Sequence, residues 1–226
     1  TGTQDVYLWE LYPRWTTWKE MKQDLISSTK SGKTANSDTL TRKKCLQQMK
    51  KMIDDGSTDV DLANFDFPTY VSCFRGLNQY RLIITPPRNH ETKVIVCQGP
   101  TGTGKSKWCM ENYPNAYWKQ RGNWWDNYSG QETVIIDEFY GWLPYDLILR
   151  LCDRYPLMVE VKGGQVQFIA KTIVFTSNQL PERWYKNVYF SSFTRRVHEW
   201  HIFPIWGEHE IHTDYNVAIS KMIDNY

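Results

Sequence analysis

No apolar run in this 226-residue chain approaches the roughly 18 residues needed to span a bilayer, so a membrane-embedded role is not expected. The first residues lack the basic start, apolar stretch and small-residue cleavage site of a secretory leader. The chain starts at Thr1 instead of Met, as a piece of a longer polypeptide would. Cysteines are few and odd in number: Cys45, Cys73, Cys97, Cys109 and Cys152, with no Cys-x-x-Cys pair. That scatter predicts buried, reduced thiols in an intracellular protein, in which the sequon Asn127-Tyr128-Ser129 stays silent. Nor is there an excess of one charge, because 27 basic residues face 25 acidic ones for a net +2. A nucleic-acid partner would therefore have to be held by local clusters, not by a global field. Internal repeats and low-complexity tracts are also missing.

Aromatic side chains are abundant, with 11 Trp and 14 Tyr, more than a core of this size needs. Core packing explains most of them, and the surplus is available as stacking surface. Residues 1–36 pair the aromatic "VYLWELYPRW" with the polar "SSTKSGKTANS" and read as a linker or incoming segment. From Ser37 or Asp38, as N-cap, the spacing of Leu40, Met49, Met52 and Ile53 predicts a helix ending near Asp55-Gly56. Its basic residues, Arg42, Lys43, Lys44, Lys50 and Lys51, read first as a solvated face. A second helix is predicted to start near Pro68, with Tyr70, Val71, Phe74 and Leu77 on one face. Pro86-Pro87 and Asn89 end this small helical domain at about residue 85.

A second domain, residues 91–226, has a different rhythm. "VIVCQG" (94–99), "TVIIDEF" (133–139) and "KTIVFTSN" (171–178) are continuous β-branched runs separated by helical segments. Such runs suit strands of a parallel sheet covered on both faces, an α/β fold. "LPYDLILRLCDRY" is predicted as a helix with Pro144 near its first turn, and "VEVKGGQVQF" (159–168) as a β-hairpin with its tip at Lys162, Gly163 and Gly164.

The chemistry gathers at the ends of those strands. "GPTGTGKS", the residues Gly99, Pro100, Thr101, Gly102, Thr103, Gly104, Lys105 and Ser106, matches the phosphate-binding P-loop pattern between a predicted strand and a predicted helix. Glycines let backbone N–H groups wrap phosphate oxygens, and the helix N-terminus faces the charge. Lys105 is placed to bridge the β- and γ-phosphates of ATP, and Ser106 to ligate Mg²⁺. Asp137, at the end of the second strand, is expected to hold the magnesium shell, and Glu138 to polarise an attacking water. Asn178, at the tip of the third strand, falls where sites of such sheets form and reads as a sensor of the γ-phosphate or the lytic water. Arg195 and Arg196 are side by side and form either a surface pair or a finger offered to a neighbouring subunit. The run with His198, His201, His209 and His212 reads as a histidine-rich strand region, since its spacing does not suit zinc. "YWKQRGNWWDNY" (117–128) reads equally as a stacking platform for single strands or as a packed aromatic cluster.

In their order these motifs resemble a superfamily-3 helicase, an AAA+-like P-loop NTPase. More narrowly, "GKSKW", "WWDNY", "DEFYGWLPYD", "LRLCDRYPLMVEVKGG" and "TSNQ" resemble the replication-associated proteins (Rep) of circoviruses and related circular single-stranded DNA viruses. The resemblance is dense over about residues 91–205 and fainter upstream through "SDTLTRKK" and "TYVSCFRGLNQY". It implies ATP and Mg²⁺ at Gly104, Lys105, Ser106, Asp137 and Glu138, with Asn178 as sensor. It also implies a DNA-contacting hairpin at Lys162, Gly163 and Gly164 and an arginine finger in the Arg195/Arg196 pair, with Arg196, directly before "VHEW", favoured. The helical segment 37–85 becomes a collar for oligomerisation. The expected activity is ATP-dependent DNA unwinding by a homo-hexameric ring on single-stranded DNA during rolling-circle replication, in the host-cell nucleus. A viral RNA helicase and a non-motor, nucleotide-switched packaging ATPase are the competing expectations. Nicking activity is not expected, since no His-bulky-His pair and no Tyr-x-x-Lys sequence occurs in the chain.

Overall fold

The computed structural model describes residues 35–186 and 188–224, so most of the expected incoming segment 1–36 lies outside the described residues. The chain divides into two compact units between Arg81 and Leu82.

The first unit is helical. It comprises α1 (Ala35–Asp54), α2 (Asp59–Phe65) and most of α3 (Phe67–Ile84). Helix α1 is already under way at Ala35, so Ser37 and Asp38 lie inside it and are not its caps. Helix α2 was not foreseen, although its start is marked by a capping box. The Thr58 hydroxyl accepts the Asp61 N–H, while the Asp61 carboxylate accepts the Thr58 N–H at 2.8 Å. Met49, Ile53, Leu62 and Leu77 form the core, with Tyr70, Cys73 and Tyr80 packed on it. On α3 the inward stripe is therefore 70, 73, 77 and 80. Val71 and Phe74 belong with Phe67 to a second, exposed apolar stripe, which corrects the single face expected from spacing.

The second unit is α/β. A six-stranded sheet has the order β2-β3-β6-β1-β7-β8, where β1 is Lys93–Gln98, β2 Tyr117–Trp118, β3 Thr133–Ile136, β6 Thr172–Ser177, β7 Glu199–Ile202 and β8 Glu210–His212. All its pairings are parallel except β7 with β8. The pleat separates neighbours along each strand. Val94 and Val96 of β1 join the larger core with Ile173 and Phe175 of β6, while Ile95 and Cys97 join Val174, Ile135 and Phe203 in the smaller one. Both faces being covered explains the unbroken apolar runs. Helices α4 (Lys105–Asn112), α5 (Tyr145–Leu151), the single turn α6 (Ser191–Thr194) and α7 (Tyr215–Asp224) complete the unit. Three thiols are buried as expected, but Cys45 and Cys73 are half-buried. No helix among the described residues is long and apolar enough to cross a membrane.

The hairpin is a separate two-stranded ribbon of β4 (Met158–Val161) and β5 (Gly164–Gln167), with Val161 paired to Gly164. Its tip is thus the pair Lys162-Gly163, with Gly163 at φ +88°, and Gly164 is the first residue of the returning strand.

Candidate functional site

Strand β1 delivers the chain into the glycine loop 99–104, which opens directly into α4. Gly99 is dictated by crowding: a Cβ there would lie 2.1 Å from the Phe203 carbonyl oxygen. Gly104 takes φ +94° at the start of α4, and no side chain caps the helix. The first-turn N–H groups are therefore not claimed by a side-chain cap, which is what an anion site requires. The Lys105 ammonium is buried and donates to the Gly99 and Pro100 carbonyls, both at 2.8 Å. Burial lowers its pKa, opposed by the nearby carboxylates of Glu138 and Asp137. The Thr103 hydroxyl donates back to the Pro100 carbonyl at 2.9 Å and tightens the turn.

Ser106, one residue into α4, reaches across to β3. Its hydroxyl donates to Asp137 Oδ1 at 2.7 Å. The same oxygen accepts the Thr176 hydroxyl at 2.6 Å, and Thr176 Oγ1 in turn accepts the Glu138 N–H at 2.9 Å. Thr176 therefore fixes one carboxylate through its side chain and the other through its backbone, a role missed in the sequence. The only signal was a hydroxyl where an apolar residue would serve a buried strand equally well. Glu138 has φ +49°, a region that non-glycine residues seldom occupy and that clusters at functional sites. Its carbonyl accepts Trp142 Nε1–H at 3.3 Å, and its side chain is exposed. From β6, Asn178 Nδ2 donates to the Thr101 hydroxyl at 3.3 Å. The P-loop, Asp137, Glu138 and Asn178 are thus brought together at the C-terminal ends of β1, β3 and β6.

A recess of about 230 Å³ opens on the other flank of the loop, lined by Thr103, Gly104, Lys107, Trp108, Phe203, Trp206 and His209 among others. The Trp206 ring lies so close to Gly104 that a Cβ there would approach it to 3.2 Å. Lys107 sits over that indole at 5.1 Å, and His209 stacks on Phe203 at 4.4 Å. His201 bonds His209 at 2.8 Å and Glu199 at 3.0 Å from within β7, in keeping with a histidine-rich strand region. No sequence signal drew Trp206 into the site.

The two arginines of the pair lie in different environments. Arg196 is turned inward, with Nη2 2.7 Å from Asp153 Oδ2 and Nη1 2.5 Å from the Ser192 carbonyl. Burial alone would raise the pKa of Asp153, but the Arg196 guanidinium together with the N–H and charge of Arg154 more than offsets it and lowers it. The expected finger, Arg196, is thus paired within its own chain, whereas a finger has to reach a neighbouring subunit. Arg195 is exposed, and its guanidinium meets no partner among the described residues. In the 117–128 segment, Tyr117, Trp125 and Tyr128 are buried with Phe168, which makes it a packed cluster, and only Trp124 shows a half-exposed ring. Lys162 at the hairpin tip is 77% exposed.

Comparison with known proteins agrees with this arrangement. The family model described as RNA helicase matches residues 95–179, from β1 to just past Asn178. The replication-associated protein of goose circovirus is 51% identical over 136 residues, covering 58% of this chain and 46% of its own. That of beak and feather disease virus is 51% identical over 123 residues, with 54% and 43% covered. That of canary circovirus is 45% identical over 148 residues, with 64% and 51% covered. The chain spans about half the length of these curated relatives. Over part of its length the chain is thus a homologue of the circovirus replication-associated proteins, and its residues 95–179 match the RNA helicase family model.

Proposed function

We propose that this chain is the ATP-driven motor of a viral replication initiator, unwinding DNA as a hexameric ring on single-stranded DNA. The observation that carries the reading is the convergence of the Ser106 and Thr176 hydroxyls on Asp137 Oδ1 beside the glycine loop. Glycine N–H groups and the uncapped start of α4 suit the phosphates of a nucleotide, and Lys105 would exchange its two carbonyl partners for phosphate oxygens. The oxygen cluster of Ser106 and Asp137 fits a magnesium ion, a hard cation that takes oxygen ligands and keeps several waters. When bound, that ion would supply charge neutralisation between the phosphates. Glu138 is the general base, its carboxylate exposed and its backbone held by Thr176. Asn178, anchored to Thr101, orients the water or the terminal phosphate. The purine base fits the recess walled by Trp206, Phe203 and His209.

A finger requires a neighbour, and Arg195 has the free guanidinium for it. The exposed stripe of Phe67, Val71 and Phe74 on α3 supports assembly with further copies of this chain. Lys162, raised on a slim glycine turn, supplies one phosphate contact per subunit. The nucleus of the infected cell follows as the site of action if DNA is the substrate. The name of the matching family favours one second reading, an RNA helicase. The non-motor switch is disfavoured because Glu138 would then have no task.

The test is strand displacement with ATP on forked DNA and forked RNA, with particles imaged in parallel. Unwinding of DNA, its loss in Lys105→Ala together with ATPase activity, and rings in the images are the expected results. An RNA-only activity replaces the substrate, and nucleotide-dependent oligomers without strand separation overturn the motor.

A further inference from the structure

The hairpin lysine does not stand alone. The segment Trp125–Asp126 runs alongside β4. Trp125 N–H donates to the Glu160 carbonyl at 2.7 Å, and the Asp126 carboxylate grips Lys162 twice. Asp126 Oδ1 accepts the Lys162 backbone N–H at 2.8 Å, and Oδ2 lies 3.4 Å from Lys162 Nζ. This carboxylate is rigidly mounted. Trp125 is fully buried against Tyr117, Tyr128 and Phe168, and the Asp126 carbonyl accepts the Tyr117 hydroxyl at 2.9 Å. The Lys162 N–H bond, ahead of the ammonium, lowers the pKa of Asp126, so the group is an anion at neutral pH.

We propose that Asp126 is the positioning residue and resident anion of the hairpin lysine, holding the tip through the backbone and occupying the ammonium until a phosphate displaces it. The inference rests on the hairpin reading given above. The two contacts differ in durability. The backbone bond is neutral-donor to carboxylate, short, and needs no side chain of Lys162. The ammonium contact is long and solvent-exposed, so it exchanges readily for another anion. A stepping motor must release each phosphate it holds, and an intramolecular carboxylate gives the ammonium a partner at release. Asp126 therefore weakens the static grip and speeds its turnover. The motif "WWDNY" thus acquires a task beyond packing, with Trp125 as anchor and Asp126 as the working group.

The experiment measures binding of a labelled single-stranded oligodeoxynucleotide by anisotropy, and strand displacement, for the full chain and four variants. Asp126→Asn retains an oxygen for the Lys162 N–H but loses the charge. It should bind about two- to fivefold more tightly at low salt, with the gain shrinking as salt rises, and should unwind more slowly. Glu160→Gln removes an exposed charge from the same hairpin without touching Lys162, and measures the general electrostatic gain. In a Lys162→Ala background, the Asp126→Asn gain should fall to that of Glu160→Gln. An Asp126→Asn variant that binds and unwinds like the parent protein, or whose excess gain persists without Lys162, overturns the inference, because a purely structural Asp126 predicts either result. Lys162→Ala alone separates the underlying reading. If it binds the oligonucleotide as the parent does, the hairpin reading fails, and Asp126 has no grip to regulate.

Discussion

Thr176→Val is the most searching perturbation of the proposed site. It keeps the side-chain shape in a fully buried position of β6 and deletes only the hydroxyl. Two bonds are lost together: the 2.6 Å donation to Asp137 Oδ1 and the 2.9 Å acceptance from Glu138 N–H. A bond to a charged group contributes about 1.5–3 kcal/mol, and an N–H left without a partner costs about 1 kcal/mol where water can reach it. Glu138 is exposed, so the lower figure applies to it. The destabilisation is then about 2.5–4 kcal/mol, or roughly 5–15 °C in Tm for a unit of this size. Turnover should suffer more than stability implies. Both carboxylates lose the group that sets their positions, and a misplacement of about 1 Å can cost about a hundredfold. ATPase kcat, measured at a temperature where circular dichroism shows the variant fully folded, should fall by about 10- to 100-fold, with KM for ATP changed far less. A folded Thr176→Val protein turning over at the parent rate would refute the assignment of Asp137 and Glu138 to the reaction, and with it the role of Thr176.

Three further outcomes test separate parts of the site. Trp206→Ala should raise KM for ATP about fivefold to tenfold, the low end of the loss for a base stacked on an aromatic ring, while kcat and the binding of inorganic tripolyphosphate stay as they are; equal losses for both ligands would remove the base from the recess. Arg195→Ala should cut ATPase by about a thousandfold or more without moving Tm, whereas Arg196→Ala should lower stability by about 2 kcal/mol through the stranded Asp153; the reverse pattern in paired melting and turnover assays would restore Arg196 as the finger. Burial pushes Lys119 down to about 8, below its unfolded value near 10.4, so the unfolded chain binds more protons between those values. Stability from this group is complete above the unfolded pKa and lost as pH falls through about 8. Urea unfolding should accordingly show stability rising from pH 8 to 9.5 in the parent relative to Lys119→Met, and parallel curves would count against that burial.

What the sequence made legible follows the range of the interactions involved. The P-loop was readable because its chemistry is local: Gly99, Gly104, Lys105 and Ser106 stand within eight consecutive residues, and the strand and helix around them are set by β-branched and helical runs. Asp137 and Glu138 were readable because they close an apolar strand at its C-terminal end, where sheets of this class build their sites. Choosing between Arg195 and Arg196 depends on Asp153, 43 residues away from Arg196, and no pattern local to "FTRRVHEW" encodes that contact. Thr176 was concealed by its own strand propensity, since a β-branched residue in β6 needs no further reason to be there. Val71 and Phe74 misled for the opposite reason: helical spacing reports which residues share a stripe but not which of two apolar stripes is covered. Trp206 shows the same limit at the site itself. An exposed tryptophan beyond β7 is ordinary until the crossover of β7 beside β1 sets it against Gly104. The residues hidden from the sequence are thus the ones that act across the sheet. They are also the ones from which the proposed base pocket, the fixed pair of carboxylates and the proposed finger would be built. A phosphate loop could bind nucleotide without those features, but a ring motor that couples hydrolysis to its neighbour would require them.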